Sequence, residues 1–281
     1  MAFRAITTPS DSARPAFVLV HGIGVSHRYL ARLHERLSAS GTVHSIDLPG
    51  FGGLPKPEKA PSIAEMAGAI ADVLTELGVA DAVLVGHSMG CQWVVELAAQ
   101  RPDLPRLVVI MGPVADSEHR TALAQSVALA VDTLGEPPAA NVAVFVDYLR
   151  CGPRWYSQQL PFMLSYRIED RIRDLTIPVL VLRGGSDPIA GLEWCRRLRE
   201  NARSGALVII PGSYHVAQMS APRAVASAIL AHVPDADSGS RERLSSASMP
   251  LTRTVAWRDG ADRTLARPAR RERGERGGHP R

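Results

Sequence analysis

With 281 residues, 46% of them hydrophobic, the chain can bury a full core as one main domain, and its 21% of charged residues is ordinary for a soluble protein. No run of about 18 uninterrupted apolar residues occurs, and the opening MAFRAITTPSDSARP lacks the apolar centre of a signal peptide, so no membrane span and a cytoplasmic location are expected. The net charge of +4 is an end effect: residues 236–281 hold 11 of the 32 Lys+Arg and 6 of the 28 Asp+Glu, leaving 21 against 22 in residues 1–235, which argues against a nucleic-acid partner for the folded core.

Taken in order, Phe17-Val18-Leu19-Val20 reads as a strand buried on both faces of a parallel sheet. His21-Gly22-Ile23-Gly24 follows it directly. A GxGxxG nucleotide site fits poorly, because no third glycine opens the next helix. Leu30, Leu33 and Leu37 place a helix over Ser26–Ser38, and Thr42–Ile46 is the next strand. Asp47 to Pro57 is loop by composition. Ser62-Ile63-Ala64-Glu65 is a capping-box start for a helix ending before Gly78. Ala82–Val85 is a strand that stops at Gly86-His87-Ser88-Met89-Gly90, with a helix over Cys91–Gln100 and a further strand at Leu107–Met111.

The alternation breaks over Ala115–Asp174, where segments near 117–134, 138–150 and 155–166 have helical spacing. Large apolar residues there, Leu123, Val127, Val131, Val142, Phe145 and Leu149 among them, are expected to pack the insertion onto the sheet or to roof a pocket. It resumes with Val179–Leu182, a helix over Leu192–Ala202, the strand Ala206–Ile210 and a last helix near Ala221–His232. The implied architecture is α/β: a doubly wound, mostly parallel sheet from 1–114 and 175–235, with 115–174 inserted as a helical cap. Residues 236–281, rich in Ser, Arg, Gly and Pro, are expected to form a disordered basic tail.

A serine hydroxyl needs a base, and the base needs an orienting anion. Ser88, Asp187 and His215 occur in that order, each just past the C-terminal end of a strand, and those ends share one edge of a parallel sheet. Ser88 is therefore the candidate nucleophile, His215 the base and Asp187 the acid, with the backbone N–H groups of Ile23 and Met89 as oxyanion donors. Asp116, past the strand ending at Met111, is the rival acid. His21 reads as a loop-ordering residue, His87 as packing at the elbow, and Asp47 as a turn organiser. His27, His34, His44, His119 and His232 have no partnering motif. Cys91, Cys151 and Cys195 read as reduced packing residues, and no His/Cys/Asp/Glu cluster has metal-ligand spacing, so neither metal nor cofactor is expected.

With H-G-x-G at His21, G-H-S-M-G at Gly86, G-x-D-P at Gly185 and G-x-x-H at Gly212, the chain resembles an α/β-hydrolase-fold serine hydrolase over Phe17–Val233. The resemblance implies the same roles for Ser88, Asp187, His215, Ile23 and Met89, a helical cap, and a small-molecule substrate. Two departures from the family are small: Cys91 stands where a second Gly is frequent, and the family's N-terminal hairpin is shortened to about Phe3–Thr7. Serine at the elbow argues against the dehalogenase and epoxide-hydrolase branches, which use Asp. The leading expectation is cleavage of a small, mostly apolar ester, thioester or lactone through an acyl-serine. Two alternatives stay open: carbon–carbon cleavage of an activated diketone, suggested by His215-Val216-Ala217-Gln218, and a non-catalytic ligand receptor on the same fold. Oligomeric state and substrate identity are not set by the sequence.

Overall fold

Each apolar run of the central strands is divided between two cores, which is why the runs are continuous rather than alternating. A computed structural model describes residues 1–10, 15–136, 138–234 and 252–256. In strands β1 (Ala2–Thr8) and β2 (Phe17–Val20), helix α1 (Ala31–Ser38) and strand β3 (Val43–Asp47) the chain builds one half of the sheet. Helix α2 (Ile63–Glu76), β4 (Ala82–His87), α3 (Gly90–Gln100) and β5 (Pro105–Met111) continue it. Val18, Val20, Leu84, Val108 and Ile110 pack against α2 and α3. The intervening Phe17, Leu19, Val83, Val85 and Val109 face the opposite layer with Leu33 and Leu37 of α1.

The capping box is present as expected: the Glu65 amide donates to Ser62 Oγ at 3.2 Å and the Ser62 amide donates to Glu65 Oε2 at 2.8 Å. After β5 come α4 (Ala122–Gly135), α5 (Pro138–Cys151), α6 (Pro153–Ser165) and the short α7 (Ile168–Arg171), then β6 (Val179–Gly184), α8 (Leu192–Asn201), β7 (Gly205–Ile210), α9 (Ala217–Ser220) and α10 (Pro222–His232). A strand β8 (Thr252–Ala256) completes the described residues. The sheet order is β7-β6-β5-β4-β2-β3-β1-β8. Pairings among β2 to β7 are parallel, and β1 runs antiparallel to β3 and β8. The fold class is therefore the one the sequence pattern implies.

Two observations depart from the sequence reading. Most of 236–281 lies outside the described residues, but Thr252–Ala256 lie antiparallel along β1, so this part of the expected disordered tail is an edge strand, consistent with its Thr-Arg-Thr-Val alternation. In the insertion, apolar side chains expected to pack down or roof the pocket instead face outward: Leu123, Val127 and Val131 on α4, and Val142, Phe145 and Leu149 on α5, are exposed. Periodicity finds a helix face without saying which way it turns.

Candidate active site

The turn from β4 to α3 holds Ser88 at φ 56, a left-handed conformation that costs a non-glycine residue on the order of 1–3 kcal/mol and persists only where its surroundings impose it. They do so here by close approach. A Cβ on Gly90 would stand 2.4 Å from the Val20 carbonyl oxygen, and one on Gly22 would stand 2.8 Å from Ser88 Cβ and 3.2 Å from its Oγ. The His21–Gly24 loop thus crosses directly over the serine. The Ser88 amide donates to the Met111 carbonyl at 3.0 Å. Met89 opens α3 and Ile23 follows Gly22. Neither amide donates to another group among the described residues, and the start of a helix favours negative charge at that point.

Beyond β6, the Asp187 carboxylate is buried. Its Oδ1 accepts from the Ile189 and Ala190 amides at 2.8 and 2.9 Å, and its Oδ2 meets His215 Nδ1 at 2.9 Å. Buried Arg183 braces the same loop by donating to the Ala190 and Asp187 carbonyls at 2.8 and 2.9 Å. Burial alone would raise the Asp187 pKa, but the facing His215 and the two amides outweigh it and hold the group below the usual carboxylate value. Bonded this way, His215 carries its proton on Nδ1 and leaves the Nε2 lone pair available. Burial would lower the His215 pKa, yet Asp187, then Asp132 and Glu136, raise it above the ordinary imidazole value.

Ser88 and His215 line one cavity of about 700 Å³, counting its open mouth. Ile23, Val25, Val114 and Ile189 line it together with Leu129, Val144, Tyr148, Tyr156 and Met163 of the inserted helices. The inserted helices therefore share this cavity with the serine.

Of the other candidates, Asp116 is turned away: its Oδ1 accepts from Arg197 at 2.7 Å and from the Glu118 amide. Asp187, not Asp116, meets His215. His21 donates from Nδ1 to the Gly22 carbonyl at 2.7 Å and accepts the Leu48 amide on Nε2, the loop-ordering role read from sequence. Asp47 organises its turn through the His27 amide and ring at 2.7 Å and Arg4 at 3.1 Å. His87 goes beyond elbow packing. Its Nε2–H donates to the His215 carbonyl at 2.9 Å, so its Nδ1 accepts from Tyr29, whose oxygen in turn accepts the Gly22 amide. Burial, then the neighbouring His215, push the His87 pKa down to about 3, so the ring is neutral and ties the glycine loop to the His215 loop. All three cysteines are free and buried. Among the described residues no group of three or more His, Cys, Asp or Glu is placed to hold a metal ion, and no helix is long and apolar enough to cross a membrane.

Two residues at the site were not found from sequence. Asp132 Oδ1 accepts the His215 amide at 2.8 Å, and Glu136 Oε1 accepts the Val216 amide at 2.7 Å. Asp132 lies in the last turn of α4 and Glu136 just past its end, in extended backbone, so no helical spacing joined them and nothing local marked the distant amides they receive.

The profile of the alpha/beta hydrolase family matches residues 17–228. A 2-(acetamidomethylene)succinate hydrolase from Mesorhizobium japonicum is 28% identical over 245 residues, covering 76% of this chain and 86% of that protein. An esterase from Rhodococcus sp. superposes with a TM-score of 0.67 at 22% identity, covering 82% of this chain and 94% of the other. The enol-lactonase of Burkholderia xenovorans superposes at 0.69 and 18%, covering 82% and 95%. These likenesses to solved structures are likenesses of fold, whereas the matched profile runs from the strand before the glycine loop to the helix after His215. On that match, the chain belongs to the alpha/beta hydrolase family.

Proposed function

We propose that this hydrolase cleaves a small, mostly apolar ester, thioester or lactone through an acyl intermediate on Ser88. The observation that carries the reading is the strained Ser88 at the β4–α3 turn, sharing one cavity with a His215 whose Nδ1 is held by Asp187. In this scheme Ser88 Oγ attacks the carbonyl carbon as its proton passes to His215 Nε2, and the Ile23 and Met89 amides receive the oxyanion. His215 then hands the proton to the leaving alcohol or thiol, and water releases the acid by the same route in reverse. The fold position of the cap supports an enclosed, apolar acyl site.

The substrate named for the Mesorhizobium relative, a substituted succinate, is not carried over. Asp132 and Glu136 line this cavity and no Lys or Arg does among the described residues, so a carboxylate near the scissile bond meets repulsion. Fluorophosphonate labelling tests the nucleophile: wild type is expected to label at Ser88 and to turn over p-nitrophenyl esters. Labelling absent from the wild type, or unchanged in Ser88→Ala, overturns the reading.

A further inference from the structure

The acyl-serine scheme uses Ser88, His215, Asp187 and two amides, and leaves one acidic wall of the same cavity unexplained. Glu136 is only 7% exposed and Asp132 only 4%, and both line the cavity. One oxygen of each is committed to the backbone of the His215 loop. Glu136 Oε2 is buried with no hydrogen-bond partner among the described residues. A buried acceptor left unsatisfied destabilises a protein unless something supplies the donor. No cationic side chain of the cavity does so.

We propose that Glu136, with Asp132 beside it, forms a subsite for an ammonium group carried by the substrate, so that the preferred substrates are amine-bearing esters, thioesters or lactones with an apolar stretch between the amine and the scissile bond. The proposal rests on the acyl-serine reading for turnover, but not for binding. An ammonium is compact, carries several N–H donors and is favoured by the negative potential of two carboxylates in a low-dielectric wall. The apolar lining, Val144 and Leu129 among it, suits the methylenes that join the amine to the reacting carbonyl. Burial, and after it the neighbouring Asp132, raise the Glu136 pKa to about 7 against the pull of the Val216 amide, so a cation placed beside it would favour its charged form.

The test uses the full chain. By calorimetry in a buffer above neutrality, Ser88→Ala is expected to bind hexylammonium at least roughly tenfold more tightly than hexanol, with hexanoate weakest. Combining Ser88→Ala with Glu136→Gln, which retains an acceptor for the Val216 amide, should bring hexylammonium and hexanol to within about threefold of each other. Ser88→Ala with Asp132→Asn serves as the second variant and should narrow the gap in part. In turnover, wild type should favour p-nitrophenyl ω-aminoalkanoates over alkanoates of equal length, and Glu136→Gln should erase the ratio. Equal binding of hexylammonium and hexanol, or a preference that survives both substitutions, overturns the subsite. Ammonium-selective binding without any ester turnover supports the subsite and overturns the proposed function instead.

Discussion

Ser88, His215 and Asp187 act as one unit in the proposed scheme, so their substitutions should behave differently from ordinary core changes. Ser88→Ala removes one oxygen from a half-buried position and should abolish ester turnover while leaving the melting temperature within about a degree or two. Asp187→Asn keeps the shape but lets the amide favour the wrong His215 tautomer, and should lower kcat on the order of 10⁴-fold. Asp116→Asn, which loses only an ion pair to Arg197, should leave kcat within about threefold, and the reverse ranking would move the acid to Asp116. The pH profile adds a sign. The base works when neutral, so activity rises with pH through the His215 pKa. Because Asp187, Asp132 and Glu136 raise that pKa despite burial, the midpoint of the limb should lie above the ordinary ~6.5. Asp132→Asn removes one of those anions while keeping an acceptor for the His215 amide, so it should shift the limb to lower pH, read as kcat/KM against pH. An unmoved limb would mean that Asp132 does not sense the titrating group.

At the scale of elements, what the sequence made legible was local. The capping box of α2 joins residues three apart, the elbow spans Gly86 to Gly90, and each central strand is a short apolar run between turn residues. The same chain hid what depends on distant partners. Nothing near Asp132 or Glu136 signals that they receive amides 83 and 80 positions away, and the outward face of α4 and α5 has the same period as an inward one. The elbow allows a direct test. Gly90→Ala would drive a Cβ to within 2.4 Å of the Val20 oxygen and 2.7 Å of the His21 oxygen, both backbone atoms that cannot swing aside. The expected cost is about 1–3 kcal/mol in denaturant unfolding, with kcat falling further than stability because the same displacement moves Ser88 and the His21–Gly24 loop together. A variant with wild-type stability and turnover would show that the elbow has slack that the close contacts deny.

For the whole molecule, the sheet order separates the edge from the chemistry. β8 pairs with β1, and three strands, β1, β3 and β2, lie between it and β4, which carries Ser88. Ending the chain after Asp237 removes β8 but leaves β1 paired with β3. The melting temperature should therefore fall by no more than about 2–4 °C, the shift of roughly 1 kcal/mol in a domain of this size, and kcat/KM should not change. A loss of turnover would place part of the tail at the cavity.

The cavity itself sets the final expectation. Ile23, Val25, Leu129, Val144 and Met163 give it a largely apolar lining, so each added methylene of a neutral acyl chain should contribute on the order of 0.8 kcal/mol, or roughly a fourfold rise in kcat/KM. The rise has to stop. Tyr148 and Tyr156 form a packed pair with ring centroids 5.6 Å apart over the glycine loop, and a Cβ on Gly24 would already stand 2.3 Å from Tyr148, so this part of the roof has no room to yield. The profile against acyl length should therefore climb and then break sharply. Tyr156→Ala should move the break to longer chains while leaving the slope of the rise unchanged, because the slope belongs to the walls and the limit to the roof. Long-chain triglycerides should not react with the wild type. A profile that climbs without a break would mean that the inserted helices swing away from Ser88 during turnover.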